Sequence, residues 1–508
     1  MDFKGLFSRG APSKEDDEYF EDQEEQEEEF DNDQKSESDE DLDEIQELNR
    51  SFEEFLKPSH KDIESLKNLA KQEALASRKT KADDLFAAPT SLKEVGVSAK
   101  ALQDLLLKFL FYHGELSGKE LALRLHLPLY GIVDILLSAL SDEHFIEVTG
   151  STGIGGHNKI FRLSNKGTER SRDAIKFSSY VGPAPVPLND YIRAVNEHYG
   201  ETIITEEELR ESYKDLVLDK EIFDQIGPAI YSGKSIFIYG PPGTGKTSIA
   251  ERIIRGLKDT IKVPYAINIQ GIPVRFFDYY QHIPADPNIR PGELIQQDTE
   301  HDYRWVEIKR PCIIVGTEFT LKSCEFQYDD NESSCEFPPT IKANGGLFMV
   351  DDFGRQRESP ENILNRWIIP LEKQKDILAM RTGQQVVVPF KALVAFSTNL
   401  DPAKLIDAAL LRRIAYKIKV DLPNLETYCQ IFACQAEKMK IEWSDDILDY
   451  FIQTYYFKAN RKMLASDPRD ILERVIDMHR YKGLNPPYRL TREVIDRACK
   501  IFFMGISS

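Results

Sequence analysis

Between a short apolar run, Ser235 to Tyr239, and an amphipathic helical pattern stands the loop Gly240-Pro241-Pro242-Gly243-Thr244-Gly245-Lys246-Thr247. Small residues here let backbone N–H groups close around an anion, and the following helix turns its positive end to the same point. The spacing is G-x-x-x-x-G-K-[ST] in strand, loop and helix order, the pattern that cradles the phosphates of a nucleotide. Lys246 is expected to reach the β and γ phosphates, and the Thr247 hydroxyl to ligate Mg²⁺. With Ser248, these residues are the candidate nucleotide contacts.

A second apolar run, Leu347 to Val350, ends in Asp351 and Asp352. Paired aspartates are usually solvated loop residues, but directly after a β-type run and downstream of a phosphate loop they suit an acidic site. Asp351 is expected in the metal shell, and Asp352 to orient or activate an attacking water. Hydrolysis is then direct attack by water, with no covalent intermediate.

These motifs in this order resemble the AAA+ ATPases, and the resemblance spans about Glu206 to Ser508. It implies ATP as the nucleotide and a polar sensor of the γ-phosphate at Asn399, after the apolar run Ala392 to Ser397. It also implies an arginine finger, Arg412 or Arg413, in Asp407-Ala-Ala-Leu-Leu-Arg412-Arg413-Ile414, and a second sensor, Arg469, in Ser466-Asp467-Pro468-Arg469 at the start of a lid helix. A guanidinium is permanently charged and engages two phosphate oxygens at once, which suits all three positions. A finger working in trans completes the site only in a homo-oligomer, for example a hexameric ring. The chain departs from the family in two ways: Asp351-Asp352 stands where Asp-Glu is common, and Lys246 and Asp351 are 105 positions apart. The extra length leaves room for β-rich insertions at Tyr265 to Asp278, Tyr303 to Lys309 and Cys312 to Thr320. Phe276 and Phe277 in the first of these, with Tyr279 and Tyr280 just after it, read as core or hairpin packing, with a pore-facing aromatic cluster as the alternative.

The elements that must carry these residues read as an α/β domain, residues 206–421, followed by an all-helical lid without strands, residues 422–508. The expected fold class is an α/β P-loop NTPase core with a C-terminal helical lid. In front, over residues 96–178, lie a helix from Ser98 to Gly114, a second at Lys119 to His126 behind a Ser117/Glu120 capping box, and a third at Leu129 to Asp142. A hairpin follows, Phe145 to Val148 and Lys159 to Leu163, around a Gly-rich tip at Gly150, Gly153, Gly155 and Gly156. This α+β order resembles a winged helix. The third helix has no Lys or Arg, so base edges and phosphates find no donors there. Docking to a protein is therefore favoured over nucleic acid, although Lys159, Arg162, Lys166, Arg170, Arg172 and Lys176 beyond it keep a DNA-binding regulator switched by ATP as the alternative. Residues 179–205, which include VGPAPVPL, read as a stiff linker.

The run Lys342-Ala-Asn-Gly-Gly346 and the β-type stretch Ile377 to Pro389 are similar to MoxR-type and sigma-factor-activating AAA+ proteins. The whole chain resembles a bacterial group of predicted chaperone-type ATPases linked to pilus assembly. That resemblance implies Mg²⁺-dependent ATP hydrolysis coupled to remodelling or assembly of a protein client.

Net charge is −20 over 508 residues, but the first fifty hold 21 acids against 5 bases, so the acidity belongs to a tail, residues 1–95. Its stretch from Glu15 to Asp43 is too polar to bury a core and is expected to be disordered. Leu42, Ile45, Leu48, Phe52, Phe55 and Leu56 recur at helical spacing, which suits a partner-docking helix or a transient one. No apolar run approaches the roughly 18 residues of a membrane span, and the opening is not a secretory leader. A soluble cytoplasmic protein without membrane insertion is expected. Six cysteines form no C-x-x-C pair and no zinc spacing, and so read as plain thiols.

Overall fold

The structure, a computed structural model, describes residues 85–152, 158–199, 204–218, 220–289, 300–329, 333–407 and 411–504. Residues 1–84 of the acidic tail, with the segment from Leu42 to Leu56, and the tip glycines 153, 155 and 156 lie outside the described residues, whereas residues 85–95 are not tail: Phe86 and Val95 are buried in the apolar clusters.

The Ser98 hydroxyl accepts the Ala101 N–H at 3.3 Å and caps α1 (Ala99–His113), whose Leu102, Leu105, Leu106, Phe109 and Leu110 are buried. β1 (Leu116–Ser117) enters α2 (Gly118–Leu125) through a reciprocal Ser117/Glu120 capping box. The expected third helix is not continuous. Tyr130 and Gly131 leave helical geometry, Gly131 at φ +82°, and the regular helix α3 is Asp134–Asp142. β2 (Ile146–Thr152) and β3 (Asn158–Leu163) pair antiparallel, with β1 on the other side of β3. A further helix, α4 (Asn165–Phe177), carries most of the basic residues expected beyond the hairpin and is tied to α1 by Arg170–Asp104 at 2.9 Å.

Residues 179–205 are not a free linker. β4 (Val186–Pro187) pairs with Ile267 and Asn268, and α5 (Leu188–His198) buries Tyr191, Ala194 and Val195 in the α/β core. The prolines are admitted because β4 is an edge strand, where a missing N–H breaks no ladder.

Next come α6 (Glu206–Tyr213), α7 (Lys220–Tyr231), β5 (Ile236–Tyr239) and α8 (Lys246–Gly256). The stretch between the Lys246 loop and Asp351 holds β6 (Thr260–Pro264), β7 (Ala266–Ile269), β8 (Ile272–Arg275), β9 (Trp305–Lys309), β10 (Cys312–Val315), β11 (Gln327–Asp329) and β12 (Ser334–Glu336). β13 (Leu347–Val350), α9 (Pro360–Lys373), the hairpin β14 (Lys375–Ala379) and β15 (Gln385–Pro389), β16 (Leu393–Thr398) and β17 (Tyr416–Lys419) complete the domain. Five strands form one parallel sheet in the order β10-β13-β16-β5-β17. β13 and β16 are buried along their whole length, as their unbroken apolar runs require of inner parallel strands. Cys312–Val315, expected in an insertion, is thus an edge strand of this core sheet. A second sheet, β11-β12-β8-β7-β4, buries Phe276 and Phe277 beside it, while Tyr279 is half-buried and Tyr280 fully exposed. The first three aromatics are therefore packing residues.

The front unit and this domain share packing: Ala266 lies in the apolar cluster of α1 to α3. Arg304 is buried against Asp302, with Nη2 to Oδ2 at 2.8 Å, and donates through Nη1 to the Val95 carbonyl at 2.8 Å. His126 donates to the Tyr303 carbonyl at the same seam.

The C-terminal helices, α10 (Leu425–Lys438), α11 (Asp445–Ile452), α12 (Asp467–Tyr481) and α13 (Arg492–Phe502), enclose Tyr428, Phe432, Phe451, Tyr456 and Leu472. They are not strand-free, because β18 (Ile441–Glu442) and β19 (Tyr488–Arg489) form a short parallel pair. Among the described residues no single helix is long and apolar enough to cross a membrane.

Candidate nucleotide site

The loop Gly240–Gly245 leaves the C-terminal end of β5, inside the parallel sheet, where ligands of such sheets bind. Two of its glycines admit no substitute. A Cβ on Gly240 (φ +151°) would lie 2.0 Å from the Val420 carbonyl oxygen, and one on Gly243 (φ +73°) 2.8 Å from Ser466 Oγ. Lys246 Nζ donates to the Gly240 carbonyl at 3.0 Å and the Pro241 carbonyl at 2.7 Å, so the ammonium is held at the loop's own centre. Burial pushes that ammonium below its ordinary pKa, with Asp351 and Asp352 opposing the shift.

Thr247 Oγ1 donates to Asp351 Oδ2 at 2.9 Å, which joins the loop to the end of β13. These two hard oxygen donors fit Mg²⁺, an ion bound by one or two protein oxygens together with phosphate and water. Asp352 lies in the left-handed region at φ +49°, and its Oδ1 accepts Asn399 Nδ2 at 3.1 Å. The surrounding turn is pinned from three sides. The Phe353 N–H donates to the Ser397 carbonyl at 2.7 Å, Thr398 Oγ1 donates to the Phe353 carbonyl at 2.7 Å, and Gln356 Nε2 donates to the Asp351 carbonyl at 3.1 Å. Such over-determination is what keeps a non-glycine residue in that backbone region.

A cleft of about 490 Å³ gathers Pro242 to Ser248, Asp351, Asp352, Asn399 and Arg469 between the core and the C-terminal helices. Arg469 is exposed to it and paired with Asp470 at 2.9 Å. The Ser466 N–H donates to the Gly243 carbonyl at 3.0 Å, so the first turn of α12 rests directly on the phosphate loop.

Sequence reasoning missed the other wall. Leu216, Val217, Leu218, Ile431 and Cys434 give the cleft an apolar side. Asp215 is its joint, bonded by Arg252 Nε and Nη2 at 2.8 Å each and reached by Lys438 Nζ at 3.4 Å. The Arg252 guanidinium holds the Asp215 carboxyl down at about 2. The apolar spacing of α10 signals a helix, but no pattern around Asp215 points to α8 or α10.

Arg412 and Arg413 are not brought to this cleft. They line a separate cavity of about 520 Å³ with Ser235, Lys391 and Leu393, at the opposite ends of β5 and β16, and Arg413 pairs with Glu372.

Residues 424–501, the span of the four C-terminal helices, match a family described as a domain of unknown function (DUF8689). The chain is 27% identical over 238 residues to the 26S proteasome regulatory subunit 7 homolog of Saccharomyces cerevisiae, a match covering 46% of this chain and 39% of that protein. The chain thus spans about two fifths of that relative's length. Its α/β core has an AAA+ ATPase-like fold. Among solved structures it is similar to the Thermotoga maritima RuvB Holliday junction branch migration motor, at 14% identity over 58% of this chain and 73% of that one, TM-score 0.33. It is also similar to NtrX from Brucella abortus, at 14% identity over 57% of this chain and 56% of that one, TM-score 0.34.

Proposed function

We propose that this chain is an Mg²⁺-dependent ATPase that couples hydrolysis to remodelling or assembly of a protein client. The observation that carries the reading is the pair of contacts Thr247–Asp351 and Asn399–Asp352 at the floor of a cleft roofed by Arg469. The loop N–H groups and Lys246 hold the β and γ phosphates. Thr247 and Asp351 would hold Mg²⁺, which would neutralise charge on those phosphates. Asn399 occupies one oxygen of Asp352, leaving Oδ2 to orient the attacking water and take its proton. Leu216, Val217, Leu218 and Ile431 give the adenine ring of ATP an apolar wall.

Arg412 and Arg413 act on a neighbouring copy, because in their own chain they stand at the far ends of the strands. The exposed face of α3 and the turn before it bear Tyr130, Asp134, Ile135, Ser138 and Asp142, an apolar and acidic surface that suits a protein client and repels nucleic acid.

Calorimetry with ATP and Mg²⁺ tests the site, with heat expected from the unaltered chain and none from Lys246→Ala. Asp352→Asn is expected to keep binding and lose phosphate release by about 10²-fold or more. Wild-type turnover in Asp352→Asn would remove that carboxylate from the mechanism.

A further inference from the structure

Behind the turn that rests on the phosphate loop lies a chain of buried polar groups that packing alone does not call for. Tyr428 Oη donates to Tyr456 Oη at 2.7 Å, and Tyr456 Oη donates to Asp467 Oδ2 at 2.8 Å. The same oxygen takes a long contact, 3.4 Å, from the Leu464 N–H. All three side chains are buried, Asp467 with 3% of its surface exposed. The charge beside Asp467 is another carboxylate, Asp470, and among the described residues Asp467 makes no ion pair. A carboxylate in an apolar core without a cation is costly, and exchanging such groups for apolar ones of similar size is often neutral or stabilising. The position of the chain gives it a use. Tyr428 is on α10, which lines the cleft through Ile431, Cys434, Gln435 and Lys438. Asp467 opens α12, directly after Ser466, whose N–H is on Gly243, and two residues before Arg469.

We propose that Asp467 is a positioning residue for the nucleotide: through Tyr456 and Tyr428 it locks the two cleft-facing helices of the lid together and holds Ser466 and Arg469 against the phosphate loop. The inference rests on the ATPase reading above and adds a residue to it. Asp467 touches no substrate; it acts by fixing the turn from Leu464 to Arg469.

The test compares the full chain with Asp467→Leu, Asp467→Asn, Tyr456→Phe, Arg469→Ala and the double variant Asp467→Leu/Arg469→Ala, in ATP affinity, kcat, KM and thermal midpoint. Asp467→Leu is expected to keep or raise the midpoint while weakening ATP about tenfold, the size of one charge-assisted contact. Asp467→Asn retains an acceptor for Tyr456 and is expected to rescue affinity to within about twofold of the unaltered chain. The double variant should be no weaker than Arg469→Ala alone, because one residue acts through the other. Tyr456→Phe removes a single oxygen, keeps the packing and should weaken ATP in the same direction, so the test survives if Asp467→Leu does not fold. Unchanged affinity in Asp467→Leu and Tyr456→Phe overturns the inference, as does additivity in the double variant or a loss of affinity matched by a fall in midpoint. No ATP binding by the unaltered chain overturns the functional reading, and this inference with it.

Discussion

At the scale of single residues, Asp352 and Asp467 are carboxylates held in opposite surroundings. Asp352 has one methylene fewer than the glutamate common in the family, and its left-handed backbone turns the carboxylate to Asn399 at 3.1 Å. Asp467 presents the opposite case, a carboxyl pushed up to about 6 by burial. Its folded pKa lies above the ordinary 3.8, so between about pH 4 and 6 the folded chain holds a proton that the unfolded chain has lost. That group's contribution to stability is therefore full below pH 4, falls as pH rises to 6 and is constant above, by up to about 3 kcal/mol. Thermal midpoints of the unaltered chain and Asp467→Asn across pH 4 to 7 check this: the difference should shift in favour of the variant as pH rises. The phosphate loop, Asp351, Asp352 and Asn399 were legible because each follows an apolar strand within a few residues. Asp215 and Lys438 were not, since they meet across 223 positions and neither sits in a local pattern.

At the scale of elements, periodic apolar spacing announced the helices and the parallel strands, and composition misled where it was given more weight than spacing. Prolines at 183, 185 and 187 suggested a linker, yet Tyr191, Ala194 and Val195 recur on one helical face and enter the core. Tyr191 Oη accepts Asn344 Nδ2 at 2.9 Å, and burial pushes its phenol far above the ordinary range. Tyr191→Ala is expected to cost about 3–5 kcal/mol, read as a fall in the denaturant midpoint, whereas a residue in a free linker would cost almost nothing. Gly131 interrupts the third helical pattern with a backbone that only the structure displays. Cys312–Val315 was misassigned because an apolar run of four residues looks the same in an insertion and at a sheet edge.

At the scale of the whole molecule, the nucleotide cleft and the Arg412–Arg413 cavity occupy opposite ends of the same sheet. A site that draws an arginine from the next copy needs both ends in contact between copies, so activity per chain should rise with protein concentration. Lys246→Ala and the Arg412→Ala/Arg413→Ala double variant are each expected to be nearly inactive. Mixed in equal amounts, they should regain measurable phosphate release, because intact loops then meet intact arginines. Mixtures no more active than the sum of the two would place the arginines outside the reaction.

The buried Arg304–Asp302 pair and its bond to the Val95 carbonyl have a mechanical consequence. A module on a tether can wander while the motor cycles, and much of each stroke is lost in slack. Here the front unit is held to the α/β domain by a shared apolar seam and by the bond from Arg304, itself fixed by Asp302, to the Val95 carbonyl, so the α3 surface turns with that domain. A protein client held on that surface, as proposed, would be levered, not merely tethered.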